Sequence, residues 1–117
     1  MTGERRILLV EDDVLIGMML ADMFDALDLP EPAQATTNEE ALAFIASEPI
    51  AGALVDINLG DEKGWPIADA LAQRGIPFAF TTGGGDVIPP AHAHRKLITK
   101  PFRISDIEAT LEEFGAE

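Results

Sequence analysis

Short apolar runs alternate along this chain with amphipathic stretches, and four of those runs end on residues that carry chemistry. Ile7-Leu8-Leu9-Val10 leads into Glu11-Asp12-Asp13, and Ala53-Leu54-Val55 ends on Asp56. Phe78-Ala79-Phe80 leads to Thr81-Thr82-Gly83, and Leu97-Ile98-Thr99 to Lys100-Pro101-Phe102. The alternation is the signature of stacked strand–helix–strand units around a parallel sheet. In such a sheet, ligands bind outside the carboxyl ends of the strands. Acids, a hydroxyl and one lysine therefore converge there, a set that suggests chemistry more than packing.

The local signals place five strands and the connections between them. Arg5 to Val10 reads as a buried strand, short and continuously apolar. Val14 to Leu27 reads as a helix capped by Asp13 or Asp12. Pro30 and Pro32 stop it and launch a second strand, Ala33 to Thr36. Thr37 with Glu40 forms a capping-box pattern for a helix through about Ala46, broken by Pro49. Ala51 to Asp56 is the third strand, and Asn58 to Gly64 reads as a polar loop. Trp65-Pro66 opens a helix to Gln73, with Gly75 as its stop. Phe78 to Thr81 and Lys96 to Thr99 are the fourth and fifth strands. Ser105 with Glu108 forms a second capping box for a last helix to about Phe114. Between the last two strands, alternation demands a helix, but Gly83, Gly84, Gly85, Pro89 and Pro90 oppose one. The expectation there is a mobile loop, or one or two turns after Pro90. The sum is an α/β fold, an open doubly wound sheet with right-handed crossovers.

At 117 residues, 47% of them hydrophobic, the chain makes one domain able to build its own core. Its net charge of −13 opposes binding to nucleic acid or to an anionic membrane. A basic protein face or a divalent cation is the better match. With no cysteine, disulfides and thiolate chemistry are excluded. The start lacks a signal-peptide pattern and no apolar run is long enough to span a bilayer, so a cytoplasmic location is expected.

One acid after the first strand would serve helix capping; three in a row exceed it. Together with Asp56 they would repel one another and raise their pKa values without a cation. A hard ion such as Mg²⁺ is the economical partner, taking one or two carboxylates, waters and phosphate oxygens. Glu11 and Asp12 are assigned to the metal and Asp13 to the cap, an assignment open to exchange between Asp12 and Asp13. Thr82 could donate to a phosphoryl oxygen, with Gly83 leaving backbone N–H groups free to approach it. Pro101 turns the chain and holds Lys100 at the strand end, where it could neutralise a transferring phosphoryl group. No glycine-rich loop ends in Lys-Ser or Lys-Thr, which excludes a P-loop site. His92 and His94 lack a third ligand nearby and are expected in solvent beside Arg95 and Lys96. The first helix carries Leu15, Ile16, Met18, Met19, Leu20, Met23, Phe24 and Leu27, too many for one narrow stripe. Either it is deeply buried or part of it is a partner face, and the methionines favour the second reading.

These motifs, in this order and near these spacings, resemble the receiver domain of two-component response regulators over essentially all 117 residues. The resemblance implies a flavodoxin-like sheet in the order 2-1-3-4-5. It implies that Asp56 accepts a phosphoryl group from a histidine. It places Mg²⁺ among Glu11, Asp12, Asp56 and the backbone carbonyl of Asn58, with Thr82, the Gly83 amide and Lys100 around the phosphoryl group. Pro77 to Gly83 further resembles the Pro-Phe-x-Phe-Ala-Thr-Gly stretch of a subgroup nicknamed FATGUY. Single-domain members of that subgroup often serve kinases of the HWE type. Thr81 replaces the usual alanine, and Gly84-Gly85 a glycine-aromatic pattern. Leu97 stands where ordinary receivers carry a switch aromatic, so switching is expected instead as order–disorder of residues 83–94.

The resulting expectation is a stand-alone receiver, residues 1–117, without an effector domain. It would be phosphorylated in a Mg²⁺-dependent phosphorelay by a histidine kinase or histidine phosphotransferase and would signal by protein contact. By the resemblance, the first helix and the Pro101-Phe102 loop would dock the donor. Two competing classes are a phosphorylation-independent interaction module and an aspartyl-phosphate phosphatase. The second would carry an acid/base aspartate two residues after the nucleophile, where this chain has Asn58.

Overall fold

The structure is a computed structural model that describes residues 6–115. Five strands form the parallel sheet: β1 (Arg6–Val10), β2 (Ala33–Ala35), β3 (Ile50–Asp56), β6 (Phe78–Thr82) and β7 (Lys96–Thr99). Two further strands of two residues each, β4 (Asn58–Leu59) and β5 (Glu62–Lys63), pair as an antiparallel hairpin. The sheet order is β2-β1-β3-β6-β7, which is 2-1-3-4-5 among its own five strands. The helices are α1 (Val14–Ala26), α2 (Asn38–Ser47), α3 (Trp65–Gln73) and α4 (Ile104–Phe114). The expected strand start at Arg5 lies outside the described residues.

Period-two alternation along each strand divides the core into two layers. Leu8, Val10, Ala53, Val55, Phe78 and Phe80 face one side, against Ala41 and Ile45 of α2 and Ile67, Ala68 and Leu71 of α3. Leu9, Leu54, Ala79 and Ile98 face the other, against Leu20 and Phe24 of α1 and Ile107 and Phe114 of α4. Both faces of β3 are therefore covered, and the carboxyl group of Asp56 emerges at the centre of the sheet's carboxyl edge.

The helix starts follow local chemistry with one exception. Asp13 caps α1, its Oδ1 accepting from the N–H groups of Leu15 and Ile16. Thr37 caps α2 by accepting from the Glu40 N–H, while the Glu40 carboxylate accepts from Thr36 rather than from Thr37. The Ser105–Glu108 capping box does not form. Helix α4 begins at Ile104, one residue before Ser105, and its cap Arg103 makes no side-chain cap bond. The stretch expected as a simple polar loop folds into the β4–β5 hairpin around Gly60, whose φ is 62°. Where a fourth crossover helix would stand there is a single 3-10 turn, Pro90–His92. Gly84 and Gly85 hold left-handed φ values of 109° and 80°, which oppose a helix there.

Candidate functional site

The ends of β1, β3, β6 and β7 bring the predicted residues together. Asp56 is 3% exposed, Glu11 5% and Thr82 2%. Glu11, Asp12 and Asp56 each offer a carboxylate oxygen, and these oxygens lie within 4.8 Å of one another. Lys100 Nζ stands 3.0 Å from Asp56 Oδ2, to which it donates, and 3.0 Å from Glu11 Oε1. The second carboxylate oxygen of Asp56 accepts from the Asn58 N–H at 3.0 Å. The Asp12 carboxylate accepts from the Gly60 N–H at 2.8 Å, tying the first acid cluster to the hairpin. The peptide bond between Lys100 and Pro101 is cis, and the Lys100 N–H donates to the Thr82 carbonyl at 2.8 Å.

The electrostatics follow from burial and crowding. Desolvation, reinforced by the neighbouring Asp56, pushes the Glu11 carboxyl up to about 7. Burial works against the Lys100 ammonium, but its hydrogen bond to Asp56 and its close approach to the Glu11 carboxylate outweigh it and hold its pKa above the ordinary lysine value. One lysine thus faces two buried carboxyl groups, and Glu11 Oε1 has no well-directed hydrogen-bond partner among the described residues. An all-oxygen donor set, buried, crowded and incompletely satisfied, fits a hard divalent cation.

Four participants escaped the sequence reading. Asp86 reaches back from the glycine-proline segment. Its carboxylate accepts from Asn58 Nδ2 at 3.0 and 3.2 Å, from Lys63 Nζ at 3.4 Å, and from the Thr82 hydroxyl in a short hydrogen bond. Lys63 also donates to Asn58 Oδ1. Gly64 presses on the site from below: a Cβ there would stand 2.8 Å from the Asp56 carbonyl oxygen. His92, expected in solvent, is instead 4% exposed. Its Nε2 donates to Asp69 Oδ1 of α3 at 2.7 Å, and its ring meets those of Phe78 and Phe80 edge-on. The visible signal for Asp86 was an acid following three glycines; nothing local marked the other three.

Helix α1 starts beside the acids and leaves Val14, Leu15, Met18 and Met19 exposed, while Leu20 and Phe24 are buried. Its excess of apolar residues is thus a surface. Phe102, expected in a docking loop, is buried and packs in the α1–α4 core layer. Leu97 is exposed on β7. Among the described residues no helix is long and apolar enough to cross a membrane.

No protein-family model matches the chain, and no curated protein matches it. Solved structures do. SdrG from Sphingomonas melonis Fr1 is 39% identical, with 97% of this chain and 98% of that one covered and a TM-score of 0.82. The BeF3-activated conformation of SdrG is 40% identical, with 95% and 98% covered and a TM-score of 0.77. The response regulator REC domain of PhyR from Erythrobacter litoralis is 30% identical, with 97% and 92% covered and a TM-score of 0.76.

Proposed function

The chain belongs to the receiver-domain family of response regulators, and from that premise we propose that it accepts a phosphoryl group onto Asp56 from a histidine kinase or histidine phosphotransferase. The observation that carries the proposal is the convergence of Glu11, Asp12, Asp56 and Lys100 at one edge of the sheet.

An Asp56 carboxylate oxygen attacks the phosphorus of a phosphoimidazole in line. The new O–P bond forms as the P–N bond breaks, and the electron pair leaves with the imidazole nitrogen. Lys100, already hydrogen-bonded to Asp56, shifts a donor to a phosphoryl oxygen, and the Thr82 hydroxyl and the Gly83 N–H donate to others. Glu11, Asp12, Asp56 and the Asn58 carbonyl would hold Mg²⁺, which neutralises charge on the carboxylates and on the phosphoryl group when bound. The protein contributes positioning and electrostatics, and water later hydrolyses the acyl phosphate. Exposed Val14, Leu15, Met18 and Met19 offer the donor an apolar face on the helix that follows the acid cluster, on a chain whose net charge of −13 favours a basic partner. Likeness to SdrG, which has been solved in a BeF3-activated conformation, supports phosphorylation-dependent signalling. The Pro77 to Gly83 stretch supports membership of the FATGUY-type subgroup.

The test is the intact mass after incubation with a small phosphodonor and Mg²⁺. One added phosphoryl group is expected, absent in Asp56→Asn and without the metal. No addition, together with Trp65 fluorescence that ignores Mg²⁺, would leave a phosphate-independent interaction module.

A further inference from the structure

Thr82 has one hydroxyl proton, and a hydroxyl donates only once. In this structure the proton goes to Asp86 Oδ2, while the Thr82 oxygen accepts from the Gly84 N–H at 2.9 Å. The hydroxyl that would serve a phosphoryl oxygen is therefore already committed. Asp86 is a strong competitor because its carboxylate is held against Thr82 by further bonds from Asn58 and Lys63.

The segment that carries Asp86 is built to let go. An added Cβ at Gly83, Gly84 or Gly85 would meet nothing within 4 Å, so no packing holds that stretch. Val87 is 89% exposed. The far end is fastened separately, where buried His92 donates to Asp69 and Arg95 stacks on Phe78 at 4.3 Å. Ile88 packs on the core as well, and N-terminal to it the polar side-chain ties run through Asp86.

Resting on the phosphoacceptor reading, we infer that Asp86 is a positioning residue that competes with the phosphoryl group for the Thr82 hydroxyl. Loading Asp56 then moves the Thr82 proton from one acceptor to the other. It also sets a phosphoryl dianion against the Asp86 carboxylate, and residues 83–87 are released while 88–95 stay fastened, Ile88 by its packing on the core. The release frees the Asn58 and Lys63 side chains, tied to Asp86 in the unloaded chain, as polar groups available only in the loaded state.

The test uses beryllofluoride with Mg²⁺ as the phosphoryl mimic, titrated by Trp65 fluorescence, with amide exchange of residues 83–87 followed in parallel. In Asp86→Ala the beryllofluoride midpoint should fall by about three- to tenfold, the net scale of one hydrogen bond. Metal-loaded protein lacking beryllofluoride should then exchange residues 83–87 as fast as loaded wild type. Combining the change with Thr82→Val should erase the gain, because the competition runs through that hydroxyl. Should Asp86→Ala not fold, Asp86→Asn keeps the shape, removes the charge and should give a smaller gain of the same sign. An unchanged or higher midpoint, or an equal gain in the Thr82→Val background, overturns the competition while leaving the phosphoacceptor reading intact. A wild-type chain that neither binds beryllofluoride nor gains phosphoryl mass overturns both.

Discussion

Two connections flank Asp56, and they are held in opposite ways. Residues 57–64, between β3 and α3, are held mainly through their own backbone groups, two of the bonds running backbone to backbone. Ile57 donates to Thr81, Gly64 donates to Ile57, and Gly60 is clamped to Asp12 at distances of 2.8–3.0 Å. Asn38 of α2 adds bonds to Glu62 and to the Lys63 carbonyl. Residues 83–95, between β6 and β7, are fastened to the rest of the molecule chiefly by the side chains of Asp86, Ile88, His92 and Arg95. Backbone ladders break only with the fold. Side-chain ties can be exchanged one at a time for a ligand. The first connection thus suits holding the acid pocket in place, and the second suits reporting what happens there.

The largest effect should come from the rigid side. In Gly64→Ala the new methyl meets the Asp56 carbonyl, backbone that cannot turn aside. A loss of about 3 kcal/mol is expected in urea unfolding, the upper end for overpacking. Phosphoryl addition should fall with it; a stable and fully reactive Gly64→Ala protein would break the contrast.

On the other side, His92→Ala removes a buried ring and its bond to Asp69. It should destabilise by about 2 kcal/mol. Amide exchange should accelerate through 90–95 with little change in the β4–β5 hairpin. Uniform acceleration in both connections would mean that they are not independent.

Acidity separates the two sides next. Glu11 holds its proton to about pH 7 in the folded chain, against 4.5 as the ordinary value. Between those values the folded state binds more protons than the unfolded one. This group's contribution to metal-free stability therefore declines as pH rises through that window. A cation must displace the same proton, so apparent Mg²⁺ affinity should fall by up to about tenfold per unit below pH 7. Asp86, whose carboxyl lies below the ordinary range, stays charged throughout and should add nothing. Titrating Mg²⁺ against Trp65 fluorescence at several pH values checks this; a flat affinity would remove Glu11 from the metal set.

The smallest effect is expected at Gly83, where an added Cβ meets nothing within 4 Å and φ is not left-handed. Gly83→Ala should lie within about 0.5 kcal/mol of the parent and could be slightly stabilising by restricting the unfolded chain. A large loss in urea unfolding would show that this stretch is packed after all.

The sheet and most of the site were legible in the residues themselves. Apolar runs of strand length, a capping aspartate and proline punctuation report burial and backbone geometry over a few positions, and they located the five sheet strands and the order of the connections. Because each run ends at the same edge of a parallel sheet, the convergence of Glu11, Asp12, Asp56, Thr82 and Lys100 followed from strand ends alone. Local patterns could not supply the partners. Asp86 meets Asn58 across 28 positions, and His92 meets Asp69 across 23. Gly64 matters because the folded chain lays it against the Asp56 carbonyl. Periodicity can say that a residue is buried on a strand, but a loop side chain finds its partner only after the sheet has brought distant segments together. The burial of His92 and the tie through Asp86 were therefore decided by tertiary structure.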